Sequence, residues 1–215
     1  MLSLIVLLAC YLLGSVPIGW MVGKVTRGVD IRQFGSGNIG FTNALRTLGW
    51  GPAVAVLIAD VAKGVAAVLL TRALMGEEAW AVWGGVCAVA GHNWSAFLRF
   101  RGGRGVATSL GVILGLAPLV ALSAFAVWLV VLAVSRYVSL ASLIAAASVP
   151  LWMFVFNHTM TLKVISLLLC TFIVVRHIPN IKRLLAGTEH KWGQKVDVKA
   201  EEQKSDASET VTSNQ

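Results

Sequence analysis

The residues best suited to chemistry lie in two segments that are rich in glycine, hydroxyl, amide and guanidinium groups. The first segment runs from Gly35 to Arg46 and reads GSGNIGFTNALR, and the second runs from Gly91 to Thr108. Glycines allow backbone N–H groups to close around a phosphate, and a nearby arginine neutralises the charge of that phosphate. Two such segments in one chain predict a site for molecules that carry phosphate groups.

In the first segment, the candidate binding groups are glycine amides and polar side chains that precede Arg46. A helix-capping loop with a snorkelling arginine would explain Arg46 alone, but the polar residues are too dense for a simple connection. A guanidinium group can grip a phosphate through two parallel hydrogen bonds. The other candidate binding residues are Gly35, Ser36, Gly37, Asn38, Gly40, Thr42 and Asn43.

Two nucleotide-binding motifs match the first segment by letter but are excluded by their context. Gly35, Gly37 and Gly40 fit the GxGxxG pattern, yet no strand precedes them and no βαβ unit follows. The stretch from Gly35 to Thr42 nearly fits a P-loop, but Phe41 stands in the position of the lysine. Phosphate binding remains as the predicted chemistry, without a dinucleotide or ATP.

In the second segment, glycines surround Arg104 just before a helix that we expect to start at about Val106. The free N–H groups and the dipole of that helix would point toward a bound anion. Positive-inside anchoring explains Arg99 and Arg101 but not the dense glycines, so Arg104 is assigned to the site. His92 is either a structural hydrogen-bonding residue or a direct site residue. The remaining candidates are Gly102, Gly103, Gly105 and Thr108.

A third polar cluster extends from Arg176 to Glu189, after the last apolar stretch. It predicts a short amphipathic helix after Pro179 that lies at the membrane interface. His177 and Asn180 are candidates to complete the site, and Glu189 is a candidate to orient an arginine or to cap the loops. The apolar face of the helix would carry Ile181, Leu184 and Leu185.

Asp60 and Lys63 are two charged residues inside an apolar stretch. Charges within a membrane span are costly and by default mark a functional site. At a spacing of three residues on one helix, however, the two side chains can neutralise each other. We interpret them as a structural ion pair.

The elements that must position these residues are membrane helices. Of the 215 residues, 57% are hydrophobic and 13% are charged, whereas a soluble domain carries about 25% charged residues. This composition indicates an all-α integral membrane protein. The net charge of +8 lies in the connections between apolar stretches, which favours membrane topology and anionic headgroups over nucleic acid as its explanation.

Apolar stretches predict about seven transmembrane helices, one or more of them short or broken. The stretch 106–117 is the shortest and suits a half-helix or a re-entrant element. Merging it with the next stretch would give six spans and would place the cationic C-terminal segment outside, against the positive-inside rule. We therefore predict the N-terminus outside, the C-terminus in the cytoplasm, and all three polar segments on the cytoplasmic face. The predicted spans are 2–23, 51–73, 79–98, 106–117, 119–135, 138–156 and 160–176.

We expect one membrane domain over residues 1–195 and a disordered cytoplasmic tail over residues 196–215, which contain no aromatic residue. Cys10, Cys87 and Cys170 lie in apolar stretches, without CxxC spacing or neighbouring histidines. They are interpreted as small buried hydrophobic residues, and no metal site is predicted.

Taken together, these stretches resemble the bacterial membrane-integral glycerol-3-phosphate acyltransferases that use acyl phosphate as donor. The resemblance covers the chain up to about Lys195 and rests on GSGNIGFTNALRTLG, DxxKG, GHN…F…GGRGVAT and RHIPNIKRLLAGTE, in that order. Two residues depart from the usual pattern of the family, which has alanine at the position of Phe41 and lysine at the position of Arg104.

The resemblance implies several helices, usually seven, in the bacterial inner membrane, with no cofactor, acyl-carrier protein or coenzyme A. It implies transfer of an acyl group from acyl phosphate to the sn-1 hydroxyl of glycerol 3-phosphate, which gives lysophosphatidate and phosphate in the first step of phospholipid synthesis. Arg46 and Arg104 would hold the phosphates. Ser36, His177 and Asn180 would orient glycerol 3-phosphate.

The expected mechanism is positioning and electrostatic stabilisation, because an acyl phosphate is already activated. No Ser-His-Asp or His-x4-Asp arrangement is evident, and the bound phosphate itself can take the proton. Ser36 as a covalent nucleophile is the less favoured variant. Two other classes stay open: a transporter or flippase for a phosphorylated lipid or metabolite, and a structural membrane subunit. A transporter fits poorly, because the polar residues gather on one face of the membrane and not at its midplane. A structural subunit would leave the glycine and amide residues of the loops without a role.

Overall fold

The computed structural model describes residues 1–194, and every regular element in this range is helical. Two short 3₁₀ turns, Ile31–Gln33 and Ala96–Leu98, lie in the loops between the α-helices. The predicted domain boundary at residue 195 and the predicted tail 196–215 lie outside the described residues. The α-helices are α1 Leu2–Ser15, α2 Ile18–Arg27, α3 Phe41–Leu48, α4 Trp50–Met75, α5 Glu78–Asn93, α6 Val106–Leu116, α7 Pro118–Ser135, α8 Val138–Val155, α9 Met160–Arg176 and α10 Ile178–Leu185.

Within the described residues, fewer helices than predicted have the length and hydropathy of a complete span. Four stretches qualify, and α9 with α10 gives a fifth if this pair, bent by 59°, is counted as one span. The helices α5 and α6 have 16 and 11 residues, whereas a complete span needs about 20. The integral membrane character of the chain is therefore supported, and the number of seven crossings stays a prediction. The four stretches are Leu2–Arg27, Trp50–Met75, Pro118–Ser135 and Val138–Val155.

The first predicted span, 2–23, is divided by a break at Pro17. Helix α1 ends at Ser15 and α2 begins at Ile18, because proline lacks an N–H group and restricts the residue before it. The last turn of α2 carries Lys24 and Arg27, and this basic turn leads directly into the first glycine-rich loop.

Close packing of α4 against α6 holds the centre of the bundle together, and glycines make this approach feasible. A Cβ atom at Gly64 would lie 2.3 Å from the carbonyl oxygen of Thr108, and one at Gly111 would lie 2.0 Å from that of Val61. No larger residue fits at either position without separating the two helices. The short helix α6 is thereby fixed against α4, with its N-terminus beside the second glycine-rich loop.

On the other side of the molecule, α7 packs against α8 and α8 packs against α9. The outer surface of α7 is apolar and exposed, as expected for a surface in contact with lipid; its exposed residues include Leu119, Leu122, Val130 and Val134. Helix α10 is the predicted short helix, and it begins at Ile178 because Pro179 is accommodated in the first turn. The α4–α6 pair and the α7–α8 pair enclose a cavity between them.

Candidate active site

A cavity of about 410 Å³ lies between α4, α6, α7 and α8, and the polar loops close one end of it. The charged or titratable residues in its wall are Arg46, Asp60, His92, Arg104, His177 and Glu189. The rest of the wall is mainly apolar and includes Ile113, Ala121, Phe125, Trp128, Leu129, Leu132 and Val149. A cavity of this form suits a molecule with an anionic head and a long apolar tail.

The first glycine-rich loop is shaped by Asn43, which is fully buried. The Oδ1 atom of Asn43 accepts a hydrogen bond of 2.9 Å from the backbone N–H of Ser36, and its Nδ2 atom donates one of 2.8 Å to the carbonyl of Ile31. The hydroxyl group of Ser36 lies 3.3 Å from the same Oδ1 atom. These contacts fix the loop conformation, and direct binding by Ser36 or Asn43 stays a prediction. The residues of this loop and its helix that line the cavity are Asn38, Gly40, Phe41, Thr42 and Arg46.

The N-termini of α3 and α6 both border the cavity. Gly40 precedes α3 and Gly105 precedes α6, and neither helix start is capped by a side chain. The first N–H groups of such helices are open to an anion, and the helix dipoles favour negative charge at that position. Gly105 has a φ of +79°, a backbone conformation that glycine adopts without strain.

Gly102 and Gly103 form a tight turn whose amide groups bond to the protein itself. Their N–H groups donate to the carbonyls of Asn93 and His92, at 3.2 and 2.9 Å. Their own carbonyls accept hydrogen bonds from Arg176, with Nη2 2.8 Å from Gly102 O and Nε 2.9 Å from Gly103 O. In this arrangement both residues shape the loop, and a contact of either glycine with phosphate stays a prediction.

His92 joins the second loop to the charged pair of α4. The Nζ atom of Lys63 lies 2.7 Å from Asp60 Oδ1 and 2.8 Å from His92 Nδ1. His92 Nδ1 also lies 3.5 Å from Asp60 Oδ1. All three side chains are buried, and those of Asp60 and His92 reach the cavity wall. The structure thus brings the expected ion pair together and adds His92 to it.

Arg46 and Arg104 are the two guanidinium groups in the cavity wall. The Nη2 atom of Arg46 donates a hydrogen bond of 3.3 Å to the carbonyl of His190. Burial lowers the pKa of Arg46, and it lowers the pKa of Arg104 to about 10. For both arginines, the negative charge of Glu189 opposes this decrease in pKa and the positive charge of Arg183 adds to it. Both groups stay protonated at neutral pH. Because burial and neighbouring cations disfavour this charge, an anion bound between the two arginines would be stabilised.

Glu189 links two helices, α8 and α10, at the polar end of the cavity. Its Oε1 atom accepts hydrogen bonds from Ser139 Oγ at 2.9 Å and Asn180 Nδ2 at 2.7 Å, and its Oε2 atom accepts one from Arg183 Nε at 2.7 Å. Burial opposes the ionisation of Glu189, but these hydrogen bonds hold the pKa of the carboxyl below its usual value. The carboxylate therefore joins α8 to α10 and is a counter-charge near the arginines.

His177 lines the cavity and is almost fully buried. Its Nδ1 atom lies 2.8 Å from the carbonyl oxygen of Ile173. Because a carbonyl oxygen only accepts hydrogen bonds, Nδ1 carries the proton, and the Nε2 atom of the neutral ring is an acceptor. Such an atom can accept a hydrogen bond from a substrate hydroxyl group.

Other candidates lie away from the cavity wall. Thr108 is fully buried on the face of α6 that packs against α4 and does not line the cavity. Its role in substrate binding stays a prediction. Arg99 and Arg101 are exposed, as the anchoring interpretation requires. Sequence reasoning did not assign Arg176 or Trp192 to the site. The partners of Arg176 are more than 70 residues away along the chain, and no local pattern reports such a contact.

Known proteins are similar to this chain over most of its length. Residues 4–187 match the family model described as glycerol-3-phosphate acyltransferase. A glycerol-3-phosphate acyltransferase of Desulforamulus reducens is 45% identical over 193 residues, which cover 90% of this chain and 96% of the relative. One of Gloeobacter violaceus is 50% identical over 189 residues, covering 86% of this chain and 92% of the relative.

Two crystal structures of PlsY, described as an integral membrane glycerol 3-phosphate acyltransferase, have a similar fold. The glycerol 3-phosphate form has a TM-score of 0.85 and 39% identity, and covers 90% of this chain and 96% of that chain. The lysophosphatidic acid form has a TM-score of 0.83 and 38% identity, with 90% and 97% covered. By sequence and by fold, this chain belongs to the glycerol-3-phosphate acyltransferase family.

Proposed function

We propose that this protein transfers an acyl group from acyl phosphate to the sn-1 hydroxyl of glycerol 3-phosphate and releases lysophosphatidate and phosphate. The observation that carries the proposal is the cavity, in which the buried Arg46, the partly buried Arg104 and two helix N-termini meet one end of an apolar wall. Both proposed substrates bear a phosphate, and the donor also bears a long chain. A cavity with one cationic end and one apolar part matches that pair of molecules.

Arg46 and Arg104 bind the two phosphate groups in this proposal. Two phosphates held close together repel each other, and two guanidinium groups compensate that repulsion better than one. The open helix starts after Gly40 and Gly105 supply further hydrogen-bond donors. His177 accepts a hydrogen bond from the glycerol part of the substrate through Nε2. Asn180, which follows His177 by three residues on α10, is held in position by the hydrogen bond that its Nδ2 atom donates to Glu189.

In the chemical step, the sn-1 hydroxyl oxygen forms a bond with the acyl carbonyl carbon. The bond between that carbon and the phosphate oxygen breaks, and the proton of the hydroxyl group passes to the departing phosphate. Because the donor is already activated, orienting the hydroxyl and stabilising the developing negative charge carry most of the rate enhancement. The role of the protein is to hold both substrates with their reacting atoms in contact.

The less favoured variant, a covalent acyl group on Ser36, finds little support in the surroundings of that residue. The side-chain partner of the Ser36 hydroxyl is the amide oxygen of Asn43, which is too weak a base to activate a serine. Rapid quenching with labelled palmitoyl phosphate, followed by a search for a serine ester, tests this point. A labelled Ser36 ester would replace direct transfer by a two-step mechanism.

For topology, we propose seven crossings in the inner membrane of a bacterial cell, with the N-terminus outside and the C-terminus in the cytoplasm. The basic residues of the three polar segments support this orientation, because cytoplasmic connections carry an excess of Lys and Arg. The active site then lies on the cytoplasmic face, within a single membrane domain of residues 1–195, and residues 196–215 form a tail. Soluble glycerol 3-phosphate reaches the site from the cytoplasm and the acyl donor from the bilayer.

The experiment uses purified protein in detergent with radiolabelled glycerol 3-phosphate, and compares palmitoyl phosphate with palmitoyl-CoA as donor. Lysophosphatidate formed from palmitoyl phosphate alone is the expected result. Product from the CoA ester alone would keep the acyltransferase and overturn the proposed donor. No product from either donor, with the protein folded, would favour a transporter, because transport requires a sealed compartment and gives no chemistry in detergent.

A further inference from the structure

The segment 189–192 crosses the polar end of the cavity and is attached on both sides of it. The carbonyl of His190 accepts the hydrogen bond of Arg46 at 3.3 Å. The backbone N–H of Trp192 donates a hydrogen bond of 2.7 Å to the carbonyl of Arg136, in the turn between α7 and α8. Between these two attachments, the indole ring of Trp192 is part of the cavity wall.

Trp192 contacts two aromatic residues, Phe41 at the start of α3 and Trp50 at the start of α4. Its ring centroid lies 6.1 Å from that of Phe41 in a tilted arrangement and 5.9 Å from that of Trp50 in an edge arrangement. Phe41 is the first residue of α3 and also lines the cavity. Aromatic pairs at these distances hold one another in place. The three rings therefore form an apolar cover directly beside Arg46.

This cover lies where the polar end of the cavity approaches solvent. The neighbours of Trp192, Lys191 and Gly193, are exposed, and Trp50 is 63% exposed. Segment 189–192 therefore forms one boundary between bulk water and the arginines. The polar end is also bounded by the buried His177 and Glu189 and by the partly buried Asn38, Thr42 and Arg104.

We propose that Trp192 determines the choice of acceptor, by excluding water from the activated acyl group. This inference rests on the proposed donor, acyl phosphate. Water and a glycerol hydroxyl are both oxygen nucleophiles, so a site that depends on positioning cannot distinguish them by reactivity and must keep water out. In the reaction avoided, a water oxygen bonds to the acyl carbon, the bond from that carbon to the phosphate oxygen breaks, and one water proton passes to phosphate. The products are a fatty acid and inorganic phosphate.

The measurement is the ratio of palmitate to lysophosphatidate formed from palmitoyl phosphate and glycerol 3-phosphate, after subtraction of hydrolysis without protein. Trp192→Ala is expected to raise this ratio roughly 10-fold, because it removes the ring that both other rings of the cover contact. Trp192→Phe should keep the ratio within roughly 2-fold of the wild type, since an aromatic ring remains. Trp83→Ala is the matched control, because Trp83 lies on α5, is 46% exposed and is not in the cavity wall.

Phe41→Ala is a second variant that tests the exclusion of water if Trp192→Ala does not fold. It removes the ring that supports Trp192 and is expected to raise the ratio by a smaller factor, roughly 3-fold. An unchanged ratio in a folded Trp192→Ala protein, or an equal loss of both products, would overturn the inference and leave Trp192 as a packing residue. With no folded Trp192→Ala protein, an unchanged ratio in Phe41→Ala would overturn it. A wild-type protein that makes no lysophosphatidate from palmitoyl phosphate would instead disprove the proposed function.

Discussion

The two glycine-rich segments are similar in composition but differ in what their residues contact. In the first, the side chains of Asn38, Thr42 and Arg46 line the cavity, and Asn43 holds the loop from behind. In the second, Gly102 and Gly103 make hydrogen bonds inside the protein, and Arg104 carries the charge that faces the cavity. The first segment is the proposed binding surface and lines the cavity with side chains, whereas the second is a close-packed turn that positions His92 and Arg104.

The difference shows that a run of glycines has two physical explanations. Glycine can open its backbone to a ligand, or it can let another part of the protein come closer than a Cβ atom would allow. A Cβ atom at Gly103 would lie 2.1 Å from His92 Nε2, whereas one at Gly40 would meet nothing nearer than Asn38 Nδ2 at 3.3 Å. In the second segment the contact partner is the protein, and in the first the space is open to the cavity.

The largest expected effect is at Arg46, the charge of the first segment. Arg46→Ala should lower kcat/KM for lysophosphatidate formation by about 10³-fold, because it removes a buried cation of the cavity wall that we propose stabilises developing negative charge. Arg46→Lys should recover part of the loss, since it keeps the charge but not the two-bond geometry. Radiolabelled product formation measures both variants, and thermal unfolding in detergent checks that they fold.

The control for Arg46 is Arg101→Ala, which removes an exposed arginine of the second segment. It should leave kcat/KM within about 2-fold of the wild type, because screened surface charges contribute little. Near-normal activity in Arg46→Ala would show that the first segment is not the binding surface described above.

Much of the fold follows from hydropathy, because lipid requires long apolar helices and loops with polar residues show where they end. The short α6 is expected from the length of its apolar stretch, whereas the break at Pro17 is not predicted, although the chemistry of proline explains it. Contacts between distant segments do not. The bonds of Arg176 to Gly102 and Gly103 cross more than 70 residues, and packing alone determines them. Trp192 likewise gains its place only when the segment after α10 has been positioned against α3.

A second prediction concerns Gly103 and tests the close-packed turn directly. Gly103→Ala should lower kcat/KM by about 10²-fold, because a displacement of His92 by about 1 Å disturbs a site that depends on positioning. The added Cβ also overpacks a buried contact, so the thermal midpoint should fall. Initial rates at varied glycerol 3-phosphate and a thermal melt provide the measurement. Unchanged kinetics would mean that the turn has more room than its contacts with His92 indicate.

A third prediction concerns Glu189, the carboxylate near the arginines of both segments. The pKa of Glu189 is held below its reference value of 4.5 in the folded protein. Its ionised form therefore stabilises the fold above pH 4.5, and that contribution is lost as pH falls through the lowered pKa. The melting temperature of the wild type should exceed that of Glu189→Gln by several degrees at pH 7, and this difference should shrink progressively below pH 4.5.

The matched control for this comparison is Glu77→Gln, since Glu77 is an exposed carboxylate at the start of α5. Its melting temperature should stay near that of the wild type at every pH, because it has no buried partners to lose. A difference between the wild type and Glu189→Gln that stays constant down to pH 3 would show that the charge of Glu189 is not what joins α8 to α10.

The smallest expected effect is at Gly40, where the first segment meets the cavity. Its φ of −86° is open to any residue, and a Cβ atom there would lie 3.3 Å from the flexible end of Asn38. Gly40→Ala should therefore change kcat/KM by no more than about 3-fold and leave the melting temperature unchanged. Initial rates at varied glycerol 3-phosphate and a thermal melt, measured as for Gly103→Ala, compare the same glycine-to-alanine change in the two glycine-rich segments. A loss as large as that at Gly103 would mean that the first segment also needs backbone contact with the substrate, and the difference between the two segments would disappear.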